Sequence, residues 1–477
     1  MRDWLRLAGE RWPERNALVC GGDVITYREL DVGVDCAAAW LRESGVAQRQ
    51  AIGLFLRPSV EMVEIVFALM RIGAVIQPLN LRLAEAELVY QAGFVDRVLV
   101  GRDLALFVQG ESLVIDYTKS QKVRVIERDF QLDSPHSRIF TSGTSGRPKP
   151  AELTYGNLYY SALATESRLG ANQDDRWLCC LPLYHVGGLA MLMRSVLFGM
   201  TVVLTDGFDI PAVNHSLDND GITHISLVPT MLHRLINSRT TPPPQLRVCL
   251  LGGAAASDEL VRRAQDAGFP VATTYGMTET ASQIATQNVE QTLKKPGSVG
   301  KAIAPFSELW IESETGERQS QGKIGEIVVR GEIVMRGYHN DPVATDMALR
   351  GGAFHTGDLG YLDSDGDLWL VQRRSDLIIS GGENIYPAEV EAALKTHPAI
   401  RDACVVGIPH TEWGQQVAAL IVADAPLTPD ELRHFLRPSL AGYKLPRVVK
   451  FIDELPLTAS GKVERKTVQR IMSGESI

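Results

Sequence analysis

In the N-terminal part of the chain, up to about residue 130, apolar positions alternate between helical and strand periodicity. Thr26 and Glu29 have the spacing of a capping box, and the apolar positions that follow to Leu41 recur at helical intervals. Residues 51–56 form a continuous apolar run typical of a buried strand, and Ser59 begins a second helical pattern. The alternation predicts β-α-β units on a largely parallel sheet.

The same alternation returns between residues 175 and 268, where apolar runs are separated by helical stretches. The pattern changes from about residue 297 to residue 370, where short alternating segments lie between glycine-rich turns. Such segments predict a small antiparallel sheet or barrel. A compact α+β pattern follows, in which Pro387 begins a helix and Thr428 begins another capping box.

Composition and charge exclude several classes of protein. The 477 residues are too many for one hydrophobic core, and 45% hydrophobic with 22% charged residues is typical of a globular chain. A net charge of −9 argues against nucleic-acid binding, because phosphate contacts need a basic surface. The N-terminus interleaves charged and apolar residues, unlike a secretory signal.

The most apolar stretch, residues 186–204, is interrupted by Arg194 and by glycines, so it predicts a buried segment and no membrane insertion. The six cysteines lack metal-ligand spacing, which is typical of reduced core thiols in a cytoplasmic protein.

The segment Thr-Ser-Gly-Thr-Ser-Gly-Arg-Pro-Lys that ends at Lys149 combines several kinds of anion-binding group. Its glycines let backbone N–H groups approach an anion, its hydroxyl groups add donors, and its lysine adds a charge. The spacing is not that of a Walker A loop, since Pro150 stands where that motif has Ser or Thr. The composition alone favours an ordinary surface turn rich in Ser and Gly. The candidate phosphate-binding residues are Thr141, Ser142, Gly143, Thr144, Ser145, Gly146 and Lys149.

Further motifs follow in order along the chain. They are Gly252-Gly-Ala254, Tyr275-Gly-Met-Thr-Glu-Thr280, Thr356-Gly-Asp358 and Leu455-Pro-Leu-Thr-Ala-Ser-Gly-Lys462. Each alone fits an ordinary turn or helix start. Together with the glycine-rich loop they resemble the adenylate-forming superfamily of acyl-CoA synthetases, luciferases and peptide-synthetase adenylation domains. The resemblance covers the chain from about Thr26 to Lys466. One departure is Pro150-Ala151, where the family usually continues with Gly-Val.

This resemblance implies an α/β fold in two domains. The large N-terminal domain, residues 1–374, would contain doubly wound αβα sheets and a small β-barrel subdomain at about residues 297–370. A small mobile α+β C-terminal domain, residues 375–477, would carry the catalytic lysine. The implied cofactors and co-substrates are ATP, Mg²⁺ and coenzyme A.

The resemblance also assigns roles at the nucleotide. Tyr275 would stack on adenine, Thr278 would contact the α-phosphate, and Asp358 would accept hydrogen bonds from the ribose hydroxyls. Glu279 would bind Mg²⁺, as suits a hard cation that prefers carboxylate oxygen. The remaining implied nucleotide residues are Gly253, Ala254 and Arg373.

The C-terminal motifs resemble the mobile half of the family site. Lys462 would bridge carboxylate and phosphate oxygens during adenylation, where negative charge accumulates. Ser375 aligns with the family hinge, which is usually Asp or Lys and must tolerate two backbone conformations. Ser380, Gly381 and Gly382 would line the coenzyme A tunnel, although a tight turn before Pro387 explains them equally well.

Four residues bear on the acid. His185 matches the gate beside the family acyl pocket, although a core histidine would fit the same pattern. Arg194 lies in an apolar helical run, and a buried guanidinium is costly unless it is paired. It therefore either reaches the surface or meets an anion in or beside the acyl pocket. Ser282 and Gln283 are candidate polar partners there.

Three local strings, residues 181–204, 274–286 and 373–391, resemble the 2-succinylbenzoate–CoA ligases of menaquinone synthesis. Their substrate carries a second carboxylate, which Arg194 would sense. The predicted reaction is conversion of this acid to its CoA thioester through an acyl-adenylate. A ligase for a medium-chain, aryl or malonyl-type acid remains open, as do a carrier-protein-loading adenylation enzyme and a non-catalytic binding protein. A homodimer is also left open.

Overall fold

A computed structural model describes residues 1–107, 112–117, 129–142, 148–254, 256–372, 377–457 and 463–474. The chain divides into two compact units. Unit 1 consists of Met1–Leu79, Phe94–Phe140 and Pro150–Gln372, and unit 2 of Asn80–Gly93, Thr141–Lys149 and Arg373–Ile477.

The helices and strands follow one another in frequent alternation. The helices are α1 (Trp4–Arg11), α2 (Tyr27–Glu43), α3 (Val60–Ile72), α4 (Glu85–Ala92), α5 (Tyr155–Leu169), α6 (Val186–Phe198), α7 (Ile210–Asn219), α8 (Pro229–Ser238), α9 (Asp258–Asp266), α10 (Val289–Lys294), α11 (Pro342–Ala348), α12 (Pro387–Leu394), α13 (Pro429–Leu436) and α14 (Arg465–Ser473). Short 3₁₀ helices lie at Arg102–Phe107 and Thr278–Thr280.

The strands are β1 (Asn16–Cys20), β2 (Asp23–Thr26), β3 (Ala51–Phe55), β4 (Val75–Pro78), β5 (Arg97–Val100), β6 (Ser112–Val114), β7 (Pro135–Ser142), β8 (Pro148–Thr154), β9 (Arg176–Cys179), β10 (Thr201–Leu204), β11 (His224–Leu227), β12 (Val248–Leu251), β13 (Val271–Tyr275), β14 (Ala285–Thr286), β15 (Lys301–Ala302), β16 (Ser307–Glu312), β17 (Gly325–Gly331), β18 (Gly337–Tyr338), β19 (Leu349–Arg350), β20 (Ala353–Leu362), β21 (Leu368–Gln372), β22 (Ile378–Ser380), β23 (Glu383–Ile385), β24 (Ile400–His410), β25 (Gly414–Ala423) and β26 (Val448–Phe451).

The predicted start of α2 is confirmed. Thr26 caps the helix by accepting a hydrogen bond from the Glu29 backbone, and the Glu29 side chain accepts one from the Thr26 backbone at 2.8 Å. The reciprocal bonds satisfy two N–H groups that a helix start leaves without partners. Ser59 likewise caps α3, and the buried run before it forms β3. The local sequence patterns therefore located these elements to within a few residues.

Two large mixed sheets confirm the α/β prediction. One has the order β15-β14-β13-β12-β11-β9-β10-β1-β2, and its strands from β13 to β1 are parallel. The other has the order β18-β8-β7-β4-β3-β5-β6. A single apolar cluster contains Ile52 of one sheet, Trp177 of the other, and Leu30, Val66 and Leu189 of helices. Helices α2, α3 and α6 therefore share one core with both sheets.

The predicted small antiparallel sheet is also present in unit 1. Strands β16, β17, β20 and β19 follow one another across it, and β21 pairs with β20. Its apolar positions at Ile311, Ile327 and Val329 form a separate cluster with Tyr275. This cluster brings the small sheet against the end of β13, which carries one of the predicted nucleotide motifs.

Unit 2 contains the predicted α+β pattern. Its sheet has the order β23-β22-β25-β24, with β26 parallel to β25. Adjacent residues of β24 lie on opposite faces, so Val405 packs in one apolar cluster and Val406 in another. Helices α12 and α13 contribute to the first cluster and α14 to the second.

The segment Asn80–Gly93 belongs to unit 2, which the sequence patterns did not indicate. Lys444 is buried and forms ion pairs with Glu87 of α4 and with Glu389 of α12, the latter at 2.8 Å. The backbone N–H of Ala441 also donates to Glu87 at 2.7 Å. Charged contacts between residues far apart in sequence therefore hold this segment in the unit.

All six cysteines carry free thiols. Within the described ranges, no helix has both the length and the apolar character that a membrane crossing would require. Residues 186–204, the most apolar stretch, form α6 and β10 and are largely buried, as predicted.

A network of buried charges joins α1, α2 and α3 in unit 1. The Arg71 side chain is fully buried and donates to Asp3, Asp31 and Asp35 at 2.7, 2.6 and 2.8 Å. Arg6 also pairs with Asp31 and Asp35. A buried guanidinium with three carboxylate partners is compensated, but each partner depends on the others.

Replacing Arg71 should therefore destabilise unit 1 strongly. Arg71→Met leaves the buried Asp3 without its cation and Asp31 and Asp35 with Arg6 alone, so the free energy of unfolding should fall by about 3–5 kcal/mol. Urea unfolding followed by tryptophan fluorescence measures this change. Arg57→Met is the matched control, because Arg57 forms an exposed ion pair with Asp103 and its loss should cost about 0–1 kcal/mol. Equal effects of the two substitutions would contradict this account of the network.

His136 provides a second test of burial. Its ring is fully buried, neither ring nitrogen makes a hydrogen bond to the described residues, and burial lowers its pKa to about 3. The folded state keeps the neutral ring, whereas the unfolded chain binds a proton below about pH 6.5. Stability should therefore fall as pH drops from about 6.5 towards 3, by up to about 1.4 kcal/mol per pH unit from this residue.

His136→Phe should remove that part of the pH dependence. Urea unfolding at several pH values measures it, and His215→Phe is the control because His215 is exposed. An unchanged pH slope in the His136 variant would show that the folded protein binds the proton as readily as the unfolded chain.

Candidate active site

Two of the predicted nucleotide motifs follow neighbouring parallel strands of unit 1. Gly252 to Ala254 follow β12, and the other motif begins at Tyr275, where β13 ends. Gly253 has a φ of 76°, and a Cβ atom on Gly252 would lie 2.6 Å from the Thr274 side chain. The turn therefore requires both glycines. Because the carboxyl ends of parallel strands lie at one edge of a sheet, the two motifs meet there.

A hydrogen bond joins Tyr275 to Asp358. The tyrosine hydroxyl donates to the Asp358 carboxylate at 2.8 Å, and both side chains are buried. Thr356 holds the aspartate segment by donating to the Ile327 carbonyl at 2.8 Å and accepting from the Asp358 N–H at 3.1 Å. Tyr275 and Asp358 are 83 positions apart in the chain. Both were predicted to contact the nucleotide, but their hydrogen bond to each other was not predicted.

Glu279 lies in the 3₁₀ helix Thr278–Thr280 and is buried. The Tyr338 hydroxyl donates to its carboxylate at 2.9 Å, and the Met335 N–H donates to its carbonyl at 2.8 Å. A neutral phenol orients the carboxylate without cancelling its charge, so the donor set suits a hard divalent cation. Tyr338 was not predicted, because a lone tyrosine after a turn shows no sequence pattern that links it to Glu279.

The chain reverses sharply after this motif. Ala281 and Ser282 have φ values of 51° and 106°, in the region that disfavours side chains. A Cβ atom on Gly276 would lie 1.5 Å from the Ser282 carbonyl oxygen. Such backbone strain costs on the order of 1–3 kcal/mol per residue and is concentrated at functional sites.

The reversal places Gln283 in the interior. Its side-chain oxygen accepts a hydrogen bond from Thr286 at 2.9 Å, while its Nε2 makes none to the described residues. A buried amide donor without a partner costs about 1–3 kcal/mol unless a ligand or water satisfies it. Ser282 is half-buried beside it in the chain. Of the two predicted pocket residues, Gln283 therefore has a buried N–H donor without a partner among the described residues.

Arg194 is buried in α6, which begins directly after His185. Its guanidinium lies over the Trp177 ring, 4.7 Å from the centroid, and forms no ion pair with the described residues. Its Nε makes no hydrogen bond to them either. Burial lowers the pKa of Arg194 to about 10, which still leaves the group protonated at neutral pH. Of the two predicted alternatives, the structure therefore excludes a side chain that reaches the surface.

His185 is half-buried at the start of α6, with its ring 4.8 Å from that of Tyr184. A Cβ atom on Gly188 would lie 2.4 Å from the Pro182 carbonyl oxygen, so this glycine permits the close turn before the helix. The fold thus holds His185 where a strand-to-helix turn meets the buried helix that carries Arg194.

Unit 2 carries the described part of the predicted phosphate loop. Thr141 and Ser142 end β7, and Lys149 lies in β8, where Tyr90 donates to the neighbouring Pro148 carbonyl at 3.1 Å. The predicted residues Gly143, Thr144, Ser145 and Gly146 lie outside the described residues, as do Arg373, Ser375 and Lys462.

Ser380 ends β22, and Gly381 and Gly382 form the tight turn to β23. Ser380 pairs with Glu383, and the two glycines have φ values of 59° and 87°, as a two-residue hairpin requires. A Cβ atom on Gly381 would lie 2.9 Å from the Trp413 ring. The alternative interpretation of these residues as a tight turn is therefore confirmed. The turn does not exclude the predicted role in binding coenzyme A.

Comparisons with known proteins now identify the family. A family model described as AMP-binding enzyme matches residues 5–339, and one described as AMP-binding enzyme C-terminal domain matches residues 389–462. The chain belongs to the AMP-binding enzymes.

Curated relatives of this AMP-binding enzyme match over nearly its whole length. A 2-succinylbenzoate–CoA ligase of Bacillus cereus is 39% identical over 477 residues, which cover 99% of the chain and 98% of the relative. A ligase of the same name from Bacillus mycoides is 39% identical over 479 residues, with 99% of each chain covered. The predicted resemblance to this group of ligases is thereby confirmed.

Solved structures agree. The o-succinylbenzoate CoA synthetase of Bacillus subtilis, as a double mutant with the product analogue OSB-NCoA, is 36% identical with a TM-score of 0.92 and 98% of each chain covered. The same enzyme in complex with ATP and magnesium is 36% identical, with a TM-score of 0.75 and coverage of 98% of this chain and 99% of that chain. Its complex with the acyl-adenylate intermediate OSB-AMP is also 36% identical, with a TM-score of 0.75 and 98% of each chain covered. An amide bond synthetase of Marinactinospora thermotolerans is 26% identical, with a TM-score of 0.87 and 98% and 99% covered.

The contact between Tyr338 and Glu279 predicts a specific metal defect. If Glu279 holds Mg²⁺, as the family resemblance implies, Tyr338→Phe removes the bond that orients its carboxylate, and Mg²⁺ should bind about 10- to 100-fold more weakly. Calorimetric titration of Mg²⁺ into the enzyme with ATP measures this affinity directly. Tyr361→Phe is the control, because Tyr361 stacks on Trp369 in the small sheet. Equal Mg²⁺ affinity in both variants would contradict the orienting role.

Proposed function

We propose that this AMP-binding enzyme joins 2-succinylbenzoate to coenzyme A through an acyl-adenylate. Full-length relatives with this name support the reaction. The observation that carries the choice of acid is Arg194, a buried and protonated guanidinium without an anionic partner among the described residues. A second carboxylate on the substrate supplies the missing anion.

The proposed reaction has two steps. A carboxylate oxygen of the acid attacks the α-phosphorus of ATP, and the bond to pyrophosphate breaks. The thiolate of coenzyme A then attacks the carbonyl carbon of the mixed anhydride, and AMP leaves. In this proposal Glu279 holds the Mg²⁺ ion, which when bound neutralises charge on the phosphate oxygens. Tyr338 keeps that carboxylate oriented through its 2.9 Å hydrogen bond.

The nucleotide lies at the edge where β12 and β13 end. Tyr275 stacks on adenine and Asp358 accepts from the ribose hydroxyls. Because their side chains are hydrogen-bonded at 2.8 Å, the aromatic plane and the carboxylate are fixed relative to each other before ATP arrives. Thr278 contacts the α-phosphate. The other proposed nucleotide residues are Thr141, Ser142, Gly143, Thr144, Ser145, Gly146, Lys149, Gly253, Ala254 and Arg373.

The proposal divides the chain between residues 374 and 375 into a large N-terminal domain and a mobile C-terminal domain. Ser375 is the hinge, and Lys462 stabilises the charge that develops during adenylation. Ser380, Gly381 and Gly382 contact coenzyme A. The two glycines of their hairpin add no side chains of their own, which supports close approach of a ligand to the backbone.

The acid lies beside α6. Arg194 binds the ring carboxylate, and the buried Nε2 of Gln283 is a suitable second donor because it lacks a partner among the described residues. Ser282 is a further polar contact. His185 lies next to the carboxylate that is activated. A guanidinium held in an apolar environment attracts an anion far more strongly than an exposed one, since little water competes.

The free thiols support a cytoplasmic location, where cysteines stay reduced. The net charge of −9 supports small-molecule substrates and no nucleic-acid partner. The proposal also includes a homodimer as an assembly to be tested by light scattering.

The function is tested by pyrophosphate release with a panel of acids, with and without coenzyme A. We expect 2-succinylbenzoate to be preferred strongly over 3-benzoylpropionate, which lacks only the ring carboxylate. Arg194→Met removes the charge but fills the space, so the KM for 2-succinylbenzoate should rise about 30- to 100-fold. The KM for 3-benzoylpropionate should not change.

Two outcomes would contradict the proposal. A preference for a medium-chain acid would refute the choice of substrate. An equal change of both KM values in Arg194→Met would show that the arginine stabilises the fold without binding the second carboxylate of the substrate.

A further inference from the structure

The Trp177 ring is the side chain against which the Arg194 guanidinium lies. The guanidinium carbon is 4.7 Å from the ring centroid, and Arg194 forms no ion pair with any described carboxylate. A cation over an aromatic face is attracted by the ring, more strongly when both groups are desolvated. The ring therefore offsets part of the cost of burying this charge.

Trp177 is itself held rigidly. It lies in β9, is almost fully buried, and its indole N–H donates to the Ser226 hydroxyl at 3.0 Å. The His224 ring stacks on it, with the centroids 4.8 Å apart. Strand pairing, the hydrogen bond and the stack together fix the plane of the indole, and so the plane over which the guanidinium lies.

The carboxylate nearest to Trp177 in the sequence, that of Asp175, already has other partners. Asp175 pairs with Arg247 and accepts a hydrogen bond from the Asn172 N–H at 2.7 Å. Burial lowers the pKa of His224 to about 4, so this ring is neutral at pH 7 and does not repel Arg194. The surroundings thus keep the arginine charged while no described carboxylate neutralises it.

The choice of an aromatic partner has a consequence for binding. A carboxylate partner would occupy the N–H donors of Arg194 and would repel an anionic substrate. An aromatic ring stabilises the charge through its face and leaves the donors at the guanidinium edge available. The N–H groups of this buried cation are therefore available to donate hydrogen bonds to a ligand.

We propose that Trp177 is the positioning residue of the anion site at Arg194 and thereby sets the preference for an acid with a second carboxylate. This inference rests on the proposed function. Trp177 acts through the arginine, so its replacement should affect only substrates that use Arg194.

Steady-state kinetics of the full-length enzyme with 2-succinylbenzoate and 3-benzoylpropionate test the proposal. Trp177→Leu should raise the KM for the dicarboxylate about 10- to 30-fold, the equivalent of a lost cation–π contact, with kcat within about twofold. The KM values for 3-benzoylpropionate and ATP should not change. Trp177→Phe retains an aromatic face and should raise the first KM by only about threefold.

A matched control is Trp310→Leu, because Arg318 and Arg330 lie over the Trp310 ring in the small sheet, at 4.0 and 5.4 Å from its centroid. This substitution should leave both KM values unchanged. In an Arg194→Met background, Trp177→Leu should add nothing to the KM for the dicarboxylate, since the two residues act as one unit.

Distinct outcomes separate the two proposals. If the unmodified enzyme does not distinguish the two acids, the proposed function fails and this inference fails with it. If the unmodified enzyme and Arg194→Met differ as expected but Trp177→Leu discriminates like the unmodified enzyme, only the role of Trp177 is refuted. Equal increases in both KM values would also refute it, by showing a packing defect. Should the leucine variant not fold, the phenylalanine variant decides by the same comparison.

Discussion

The free-energy cost of burying a charged side chain explains the surroundings of two arginines in this protein. Two arginines of unit 1 are withdrawn from water, and each is compensated differently. Arg71 has three carboxylate partners and fastens three helices together. Arg194 has only an aromatic face among the described residues. The fully compensated Arg71 is a structural element, whereas the partly compensated Arg194 is the cation that we propose an anionic substrate binds.

Backbone constraint supplies the second half of the site. The reversal at Ala281 and Ser282 is strained, and it requires a glycine at position 276 because any side chain would collide with it. The reversal turns Gln283 inward with an unsatisfied donor. Strain and an unpaired polar group lower stability, so their occurrence beside Glu279 is consistent with a segment selected for binding.

The proposed nucleotide site depends on contacts between residues far apart in the chain. Tyr275 ends a strand of the large sheet and Asp358 lies in the small sheet, and their hydrogen bond joins the two layers. Tyr338 reaches Glu279 from a separate two-residue strand. These contacts give unit 1 a site whose side chains support one another, which is the preorganisation that binding of a flexible nucleotide needs.

Local sequence signals and motifs were enough to predict most elements and the family of this protein. Capping residues at Thr26 and Ser59 and the period of the apolar positions are local signals, so helix starts and strands were predicted from them. The nucleotide motifs were predicted from their resemblance to a family. The contacts of Trp177 with Arg194, of Tyr338 with Glu279 and of Glu87 in α4 with Lys444 were not. They join residues far apart in the chain, and only the packing of sheets and helices decides which side chains meet and how much water each keeps.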